Sequence, residues 1–464
     1  MSAFTPLLEP RSIAVVGAST VEGKTGNVIL SNLIENGFGG PVYPIHPTAS
    51  EILGLRAYPT LSHVPGPVDL VFVVVPRELV KEVMEQCERK GVRAACIVSA
   101  GFAEAGEEGA KAQAELEAII RRSGIRCIGP NTIGFVNAQT RVVGSFTPLR
   151  EWRAGPVALA AQSGTFCGAL ADELLALESQ RLGFALAVSL GNKIDLDEVD
   201  FVTYAGANPA VRVVALHLES LRRPRAFLDE AGRVAREKPV VVLKPGRSAT
   251  GARASASHTG ALAANDRLVD AGFRQFGITR AYDLEEFLAY IKAFAYQPLA
   301  PGPRVGIVTW SGGNGVMAVD EMAEAGLELA TFVPETERRL AAMLPAWQPA
   351  QNPADLWMAL GSGNRRAHEE GIGAALDDPG TDAVLAILLP LPITDFPEVR
   401  EVFAAARARH PEKPLFLTMI GGPVKRRWMT ELEGLEIPIF SGTRLPVLAL
   451  AAMERYRRYR ERGR

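Results

Sequence analysis

His258 sits in a loop of small residues, Ala256-Ser257-His258-Thr259-Gly260-Ala261, within a stretch (244–264) that reads KPGRSATGARASASHTGALAA. Glycines at 246, 251 and 260 let such a loop move and come close to a ligand. A neutral imidazole accepts a phosphoryl group on one ring nitrogen when an acceptor holds the N–H of the other. Glu219, at the end of the apolar run VVALHLES, is the candidate holder. Its plainer role is pairing with Arg222 or Arg223, and His217 two residues earlier is a rival to it. The remaining histidines (His46, His63, His368 and His410) are isolated. No competing nucleophile stands out: Ser163 lacks the GxSxG elbow, and no cysteine has a His or Lys beside it.

Two turns have the composition of anion sites. Gln162-Ser163-Gly164-Thr165 lies between an apolar run and a helix expected over 166–178; Ser311-Gly312-Gly313-Asn314-Gly315 repeats the arrangement. Free amide N–H groups, a hydroxyl and the positive end of a helix dipole favour phosphate there. Ser163 or Thr165 would serve equally as an ordinary helix cap. Two such turns could face one another and hold one phosphate from both sides.

A third group of turns follows the first strands: Gly17-Ala18-Ser19 with Gly23, Lys24 and Gly26, then Val75-Pro76, Ser99-Ala100-Gly101-Phe102 and Gly129-Pro130-Asn131. All would line the C-terminal edge of one sheet, where open α/β folds bind ligands. The first turn suits a phosphate-bearing ligand, yet it is no GxGxxG, and Asn36–Gly39 offers no carboxylate for a ribose. A nicotinamide oxidoreductase is therefore the weaker reading.

The elements that carry these turns follow from the hydrophobic pattern. Ser12–Gly17, Pro41–Ile45, Leu70–Val75, Ala94–Val98 and Arg126–Ile128 are short apolar runs. They alternate with helical spacing over 26–36, 77–90 and 107–122. Continuous apolar strands between helices mean a parallel sheet covered on both faces. This places a first doubly wound domain at 1–140. The segment 141–155 reads as loop. A second series begins at Pro156–Ala160, has later strands near 184–189, 211–218 and 239–243, and closes with two helices by 296. Gln297–Pro303, with three prolines, reads as a linker, and a third series opens at Arg304–Thr309. The expected division is 1–140, 141–297 and 303–464. PVALAAQSGTFCGALADELLALE aligns with RVGIVTWSGGNGVMAVDEMAEAG, and two further segments match in the same order, so the second and third domains read as copies of one α/β unit.

Composition narrows the function class. The chain has 464 residues, 47% hydrophobic and 22% charged, with a net charge of −2. This excludes disordered and collagen-like chains and gives no basic surplus for nucleic acid. Cys87, Cys96, Cys127 and Cys167 form no CxxC pair and no zinc-like cluster, so reduced thiols in the cytoplasm and no metal site are expected. The N-terminus MSAFTPLLEPRS lacks a basic region followed by a long apolar run, so no signal peptide is expected. No apolar run approaches the ~20 residues that span a bilayer.

GRSATGARASASHTGALA (246–263), IGPNTIGF (128–135), AAQSGTF (160–166) and VVGAS (15–19) resemble the nucleoside-diphosphate-forming acyl-CoA synthetases, specifically the alpha subunit of acetate–CoA ligase (ADP-forming), in the succinyl-CoA synthetase superfamily. The resemblance covers nearly the whole chain. It implies an α/β chain of three domains: a CoA-binding Rossmann-like domain followed by two flavodoxin-like doubly wound ligase domains. It implies that His258 is the phosphorylated histidine and Glu219 its orienting carboxylate. Phosphate contacts then fall on Ser163, Gly164 and Thr165 and on Gly312, Gly313, Asn314 and Gly315. CoA contacts fall on Gly17, Ala18, Ser19, Lys24, Val75, Pro76, Ser99, Ala100, Gly101, Phe102, Pro130 and Asn131.

Three segments depart from the family. His46-Pro47-Thr48 stands where Asn-Pro-Lys is usual, Trp310 and Asn314 where Asn and Pro are common, and NPADLWMALG (352–361) ends without the usual Gly-rich continuation. No ATP-grasp domain and no Walker A loop is visible. The resemblance implies a separate ATP-grasp beta subunit carrying Mg²⁺ and ADP or ATP, hence a hetero-oligomer. CoA and a small carboxylic acid would be substrates, with neither nucleic acid nor membrane as a partner. The expected activity is reversible conversion of acyl-CoA, phosphate and ADP to carboxylate, CoA and ATP. The alternative is a catalytically silent CoA-binding regulatory or scaffolding subunit.

Overall fold

Each β-branched run becomes a short buried strand, because helices cover both faces of the sheet it joins. The computed structural model describes residues 2–147, 153–164, 168, 182–251, 253, 265–362, 364, 366–390 and 399–463. They form two compact units, one reaching to Tyr282 and the other starting at Asp283.

In the first unit, β1 (Ile13–Val16), β2 (Val42–Ile45), β3 (Leu70–Val73), β4 (Ala94–Ile97) and β5 (Arg126–Ile128) form a parallel sheet in the order β2-β1-β3-β4-β5. The helices α1 (Thr25–Glu35), α2 (Arg77–Lys90) and α3 (Glu107–Ser123) connect them. α3 carries Glu107 and Glu108 in its first turn and Arg121 and Arg122 in its last, matching its dipole, and Gly124 ends it in the left-handed conformation. β2 and β3 flank β1 on opposite sides, so the winding reverses at β1 and a crevice opens at the strand C-termini.

The second sheet begins at Gly134. Its strands are β6 (Gly134–Asn137), β7 (Val142–Ser145), β8 (Val157–Ala161), β9 (Phe184–Ser189), β10 (Val213–His217), β11 (Val240–Leu243) and β12 (Thr279–Ala281), in the order β12-β11-β10-β8-β9-β6-β7. All pair in parallel except β6 and β7, which form an antiparallel hairpin at one edge. The segment 141–155 thus contains a strand where the sequence reads as loop. Gly144 hides it: a Cβ there would lie 2.0 Å from the Phe72 ring, so the position must be glycine and the local strand pattern is lost. Phe72 in turn stacks on Phe135 of β6 at 5.7 Å, and Asn32 of α1 donates to the Ser145 carbonyl at 2.7 Å. The hairpin therefore packs the two sheets into one body. Two further helices, α4 (Glu198–Ala207) and α5 (Pro224–Ala235), flank this second sheet.

The second unit opens with α6 (Leu284–Tyr296). Its sheet comprises β13 (Arg304–Thr309), β14 (Glu328–Leu329), β15 (Ala354–Asp355), β16 (Ala383–Leu388), β17 (Leu415–Met419) and β18 (Ile439–Phe440), in the order β14-β13-β16-β17-β18 with β15 also on β13. α6 packs on the last helix, α7 (Arg444–Arg462), through Phe294 and Tyr456 at 5.4 Å. In the first sheet β2 pairs on one side of β1 and the later strands extend on the other; in the third, β14 and β16 flank β13 in the same way. No helix among the described residues is long and apolar enough to cross a membrane.

Candidate functional site

The turns at the C-terminal edge of the first sheet are held by close packing. Gly17 has φ +91°, and a Cβ on it would sit 2.0 Å from the Val74 carbonyl oxygen. Gly26, on the first turn of α1, lies so near that its own Cβ would be 2.1 Å from the Gly17 carbonyl. Only glycine lets the helix start approach the turn this closely. The Asn27 amide donates to the Ser19 carbonyl at 2.9 Å, the Ser19 hydroxyl accepts from the Val21 N–H at 3.1 Å, and Lys24 is exposed just before the helix.

The neighbouring turns are tied to each other. The Ser99 hydroxyl donates to the Val75 carbonyl at 2.5 Å, and Arg77, which follows Pro76, donates to the Gly101 carbonyl at 3.0 Å. The Asn131 N–H donates to the Ser99 carbonyl at 2.9 Å. Glu104 accepts from the N–H groups of Gly101 at 2.7 Å and Phe102 at 3.1 Å, and its other oxygen accepts from the Asn192 amide at 2.6 Å. Burial alone would raise the Glu104 pKa, but the bonds from Asn192 and the backbone outweigh it and hold the carboxyl below its usual range.

Gln162-Ser163-Gly164 follows β8 and faces the end of β10. The Gln162 side-chain oxygen accepts from the backbone N–H of Glu219 at 3.1 Å and of Ser220 at 3.0 Å, while its amide donates to the Ser220 hydroxyl at 3.1 Å. Gly164 is closed over by Ile133, whose methyl a Cβ would meet at 2.8 Å. Glu219 is half-buried, and Lys244 donates to its carbonyl at 3.1 Å. His217, the rival, is buried in β10; burial, with the Lys244 cation adding, lowers its pKa to about 4.

One cavity of about 980 Å³ is lined by Ala100 and Asn131 from the first sheet, Ser163 and Gly164 from the helix start, and Glu219 and Ser220 from the end of β10. The first unit thus joins three groups of turns that are far apart in sequence. Thr165, His258 and most of the expected helix 166–178 lie outside the described residues.

Sequence reasoning missed Glu104, Gln113, Asn192 and Lys193, all of which line the same cavity. Their signal was available: Leu190-Gly191-Asn192-Lys193 ends the apolar run FALAVS as the other turns end theirs, and Gly191 has φ +61°.

In the second unit, Ser311 precedes the helix Gly312–Ala325. Its hydroxyl accepts from the Asn314 amide at 2.8 Å, and its N–H donates to Thr309 at 3.0 Å. A Cβ on Gly313 would meet nothing within 4 Å, whereas one on Gly312 would meet the Asp355 carboxylate at 2.8 Å. Trp310 is buried, 4.3 Å from the His368 ring and edge-on to Trp428 at 5.8 Å, so this departure from the family pattern fills core. At the other departure, His46 closes its own turn: its Nδ1 accepts from the N–H groups of Thr48 at 3.2 Å and Ala49 at 2.9 Å. Among the described residues no cluster of His, Cys, Asp and Glu could hold a metal ion. Cys87, Cys96 and Cys127 are buried free thiols, and burial pushes the Cys87 thiol up to about 12.

Three family models match the chain: the CoA binding domain over residues 11–138, the succinyl-CoA ligase like flavodoxin domain over 154–294, and the Ligase-CoA domain over 305–462. The alpha subunit of acetate–CoA ligase (ADP-forming) I of Pyrococcus furiosus is 33% identical over 98% of this chain and 98% of its own length. Acetate–CoA ligase (ADP-forming) II of Archaeoglobus fulgidus is 37% identical over 82% of this chain but only 56% of its own length, so the chain spans about half of that relative. The solved structure of dinucleotide forming acetyl-coenzyme A synthetase 1 of Ca. Korarchaeum cryptofilum, in complex with phosphate and ADP, matches with a TM-score of 0.92 at 34% identity, covering 99% of this chain and 97% of that one. The architecture is accordingly a Rossmann-like CoA-binding domain followed by two flavodoxin-like domains, as the resemblance implies.

Proposed function

The chain belongs to the family of ADP-forming acetate–CoA ligase alpha subunits, and from that premise we propose that it carries the acyl and phosphohistidine steps of a reversible acyl-CoA synthetase. A phosphate oxygen attacks the thioester carbonyl, the C–S bond breaks, and CoA leaves as a thiol with an acyl phosphate behind. A ring nitrogen of His258 then attacks the phosphorus, releasing the carboxylate. Finally an oxygen of the ADP β-phosphate takes the phosphoryl group, giving ATP and restoring neutral histidine.

Each group of residues has a physical task. Glu219 holds the second ring nitrogen of His258 and stabilises the charge that develops on it. Ser163, Gly164 and Thr165 offer phosphate the N–H groups and hydroxyls of a helix start. Gly312, Gly313, Asn314 and Gly315 of the second unit have the same chemistry. Such preset dipoles supply most of the stabilisation that phosphoryl transfer needs. CoA lies against Gly17, Ala18, Ser19 and Lys24 and the turns at Val75-Pro76, Ser99–Phe102 and Pro130-Asn131. An ATP-grasp beta subunit, carrying Mg²⁺ and the nucleotide, completes a cytoplasmic hetero-oligomer.

The observation that carries this reading is the single cavity shared by Asn131, Ser163 and Glu219. It would let thioester, phosphate and acceptor meet. The test uses the full chain alone with phosphorus-labelled acetyl phosphate, and with an ATP-grasp partner and labelled ATP·Mg²⁺. Acid-labile, base-stable label is expected on the chain in both and on neither with His258→Asn. CoA binding without any label would instead mark a silent CoA-binding subunit.

A further inference from the structure

We infer that Asn192 and Lys193 form a positioning dipeptide, one residue setting the CoA turn and the other setting the turn that presents Glu219. This inference rests on the ligase reading for the identity of the two turns; the contacts themselves do not depend on it.

The dipeptide lies where two groups of turns meet. Gly191 presses so closely on the turn after β5 that a Cβ would lie 2.3 Å from the Pro130 carbonyl, and the Asn192 N–H donates to that carbonyl at 2.9 Å. Lys193 is held left-handed at φ +56°, a conformation uncommon outside glycine. Consecutive side chains are thereby sent to opposite partners. The Asn192 amide donates to Glu104 at 2.6 Å and to Gln113 at 3.1 Å, and that Glu104 carboxylate gathers the N–H groups of Gly101 and Phe102. The Lys193 ammonium, 3% exposed, donates to buried Glu198 at 2.9 Å and to the Ser220 carbonyl at 2.8 Å. Glu198 also accepts from the Arg222 N–H at 2.8 Å, and the Arg222 guanidinium donates to the Lys193 carbonyl.

A buried ion pair is weak evidence of stabilisation in itself. Here it is spent on one short turn, from Ser220 to Arg222, directly after Glu219. Among the described residues the Asn192 side-chain amide donates to Glu104 and Gln113, on the CoA side of the cavity. The two side chains therefore separate functions that a general loss of packing would lower together.

The test measures two quantities on the full chain: CoA affinity by calorimetry, and the rate at which labelled acetyl phosphate modifies His258. Asn192→Ala is expected to weaken CoA binding about tenfold or more while labelling stays within about twofold. Lys193→Met is expected to slow labelling about tenfold or more while CoA affinity stays within about twofold. Because Lys193→Met strands the Glu198 charge, the double variant Lys193→Met/Glu198→Gln is measured beside it and is expected to show the same split. Equal losses in both quantities for both variants, or no change in either, would overturn the inference. If the unsubstituted chain binds CoA but takes no label, the ligase reading fails by itself; unchanged CoA affinity in Asn192→Ala then still overturns the inference.

Discussion

The side-chain oxygen of Gln162 accepts a hydrogen bond from the backbone N–H of Glu219 at 3.1 Å, across 57 residues of sequence. Gln162 directly precedes Ser163, so one amide group ties the turn at the helix start to the backbone that carries Glu219. Replacing Gln162 by Leu removes the acceptor for the Glu219 and Ser220 N–H groups at a cost of about 1–3 kcal/mol. The urea midpoint of the first unit should fall and His258 labelling should slow with it. Gln162→Glu keeps the acceptor oxygen and should lose less of both. Wild-type labelling in the Leu variant would sever the proposed link.

Gly17 admits no side chain. Its positive φ and the Val74 carbonyl, 2.0 Å from any Cβ, make Gly17→Ala strained whatever the ligand. A loss of at least about 1 kcal/mol is expected, read as a lower melting temperature. CoA affinity should drop more than stability does, because the turn must shift where the ligand approaches.

Lys292 of α6 lies 2.7 Å from Glu433, with both side chains buried, and also donates to the Ile439 carbonyl at 3.0 Å. Lys292→Met leaves a buried carboxylate without its cation and should cost about 3–5 kcal/mol. Lys292→Met/Glu433→Gln should recover much of that. Denaturant unfolding of the three proteins checks it; a harmless single variant would refute the pairing.

Acid should weaken the fold through two buried histidines. Burial lowers the His217 pKa to about 4, with Lys244 adding, and lowers that of His368 to about 3. Both lie below the unfolded value of about 6.5. Between these limits the unfolded chain binds more protons, so stability rises with pH. It is fully present above about pH 6.5 and is lost as pH falls toward 4 and then 3. Melting temperatures from pH 7 to 4 should fall, and fall less in His217→Gln.

The strands and helices of the first sheet, and the glycine turns at 17 and 101 that follow its strands, are legible in the residues themselves. The strand β7 is not. Val142–Ser145 carries Gly144, which the local pattern reads as a break but which the Phe72 ring demands. Trp310 is another case: the sequence marks it only as a departure from the family, and the structure packs it against His368 and Trp428.

Sequence by itself determined the elements and the residues at their ends, because propensity, hydrophobic period and turn chemistry act between near neighbours along the chain. Tertiary structure alone decided which ends share a cavity. Asn192 meets Glu104 across 88 residues, and Gln162 meets Glu219 across 57. Those meetings depend on strand order and on close approaches at Gly17, Gly144 and Gly191, which no short window of sequence contains.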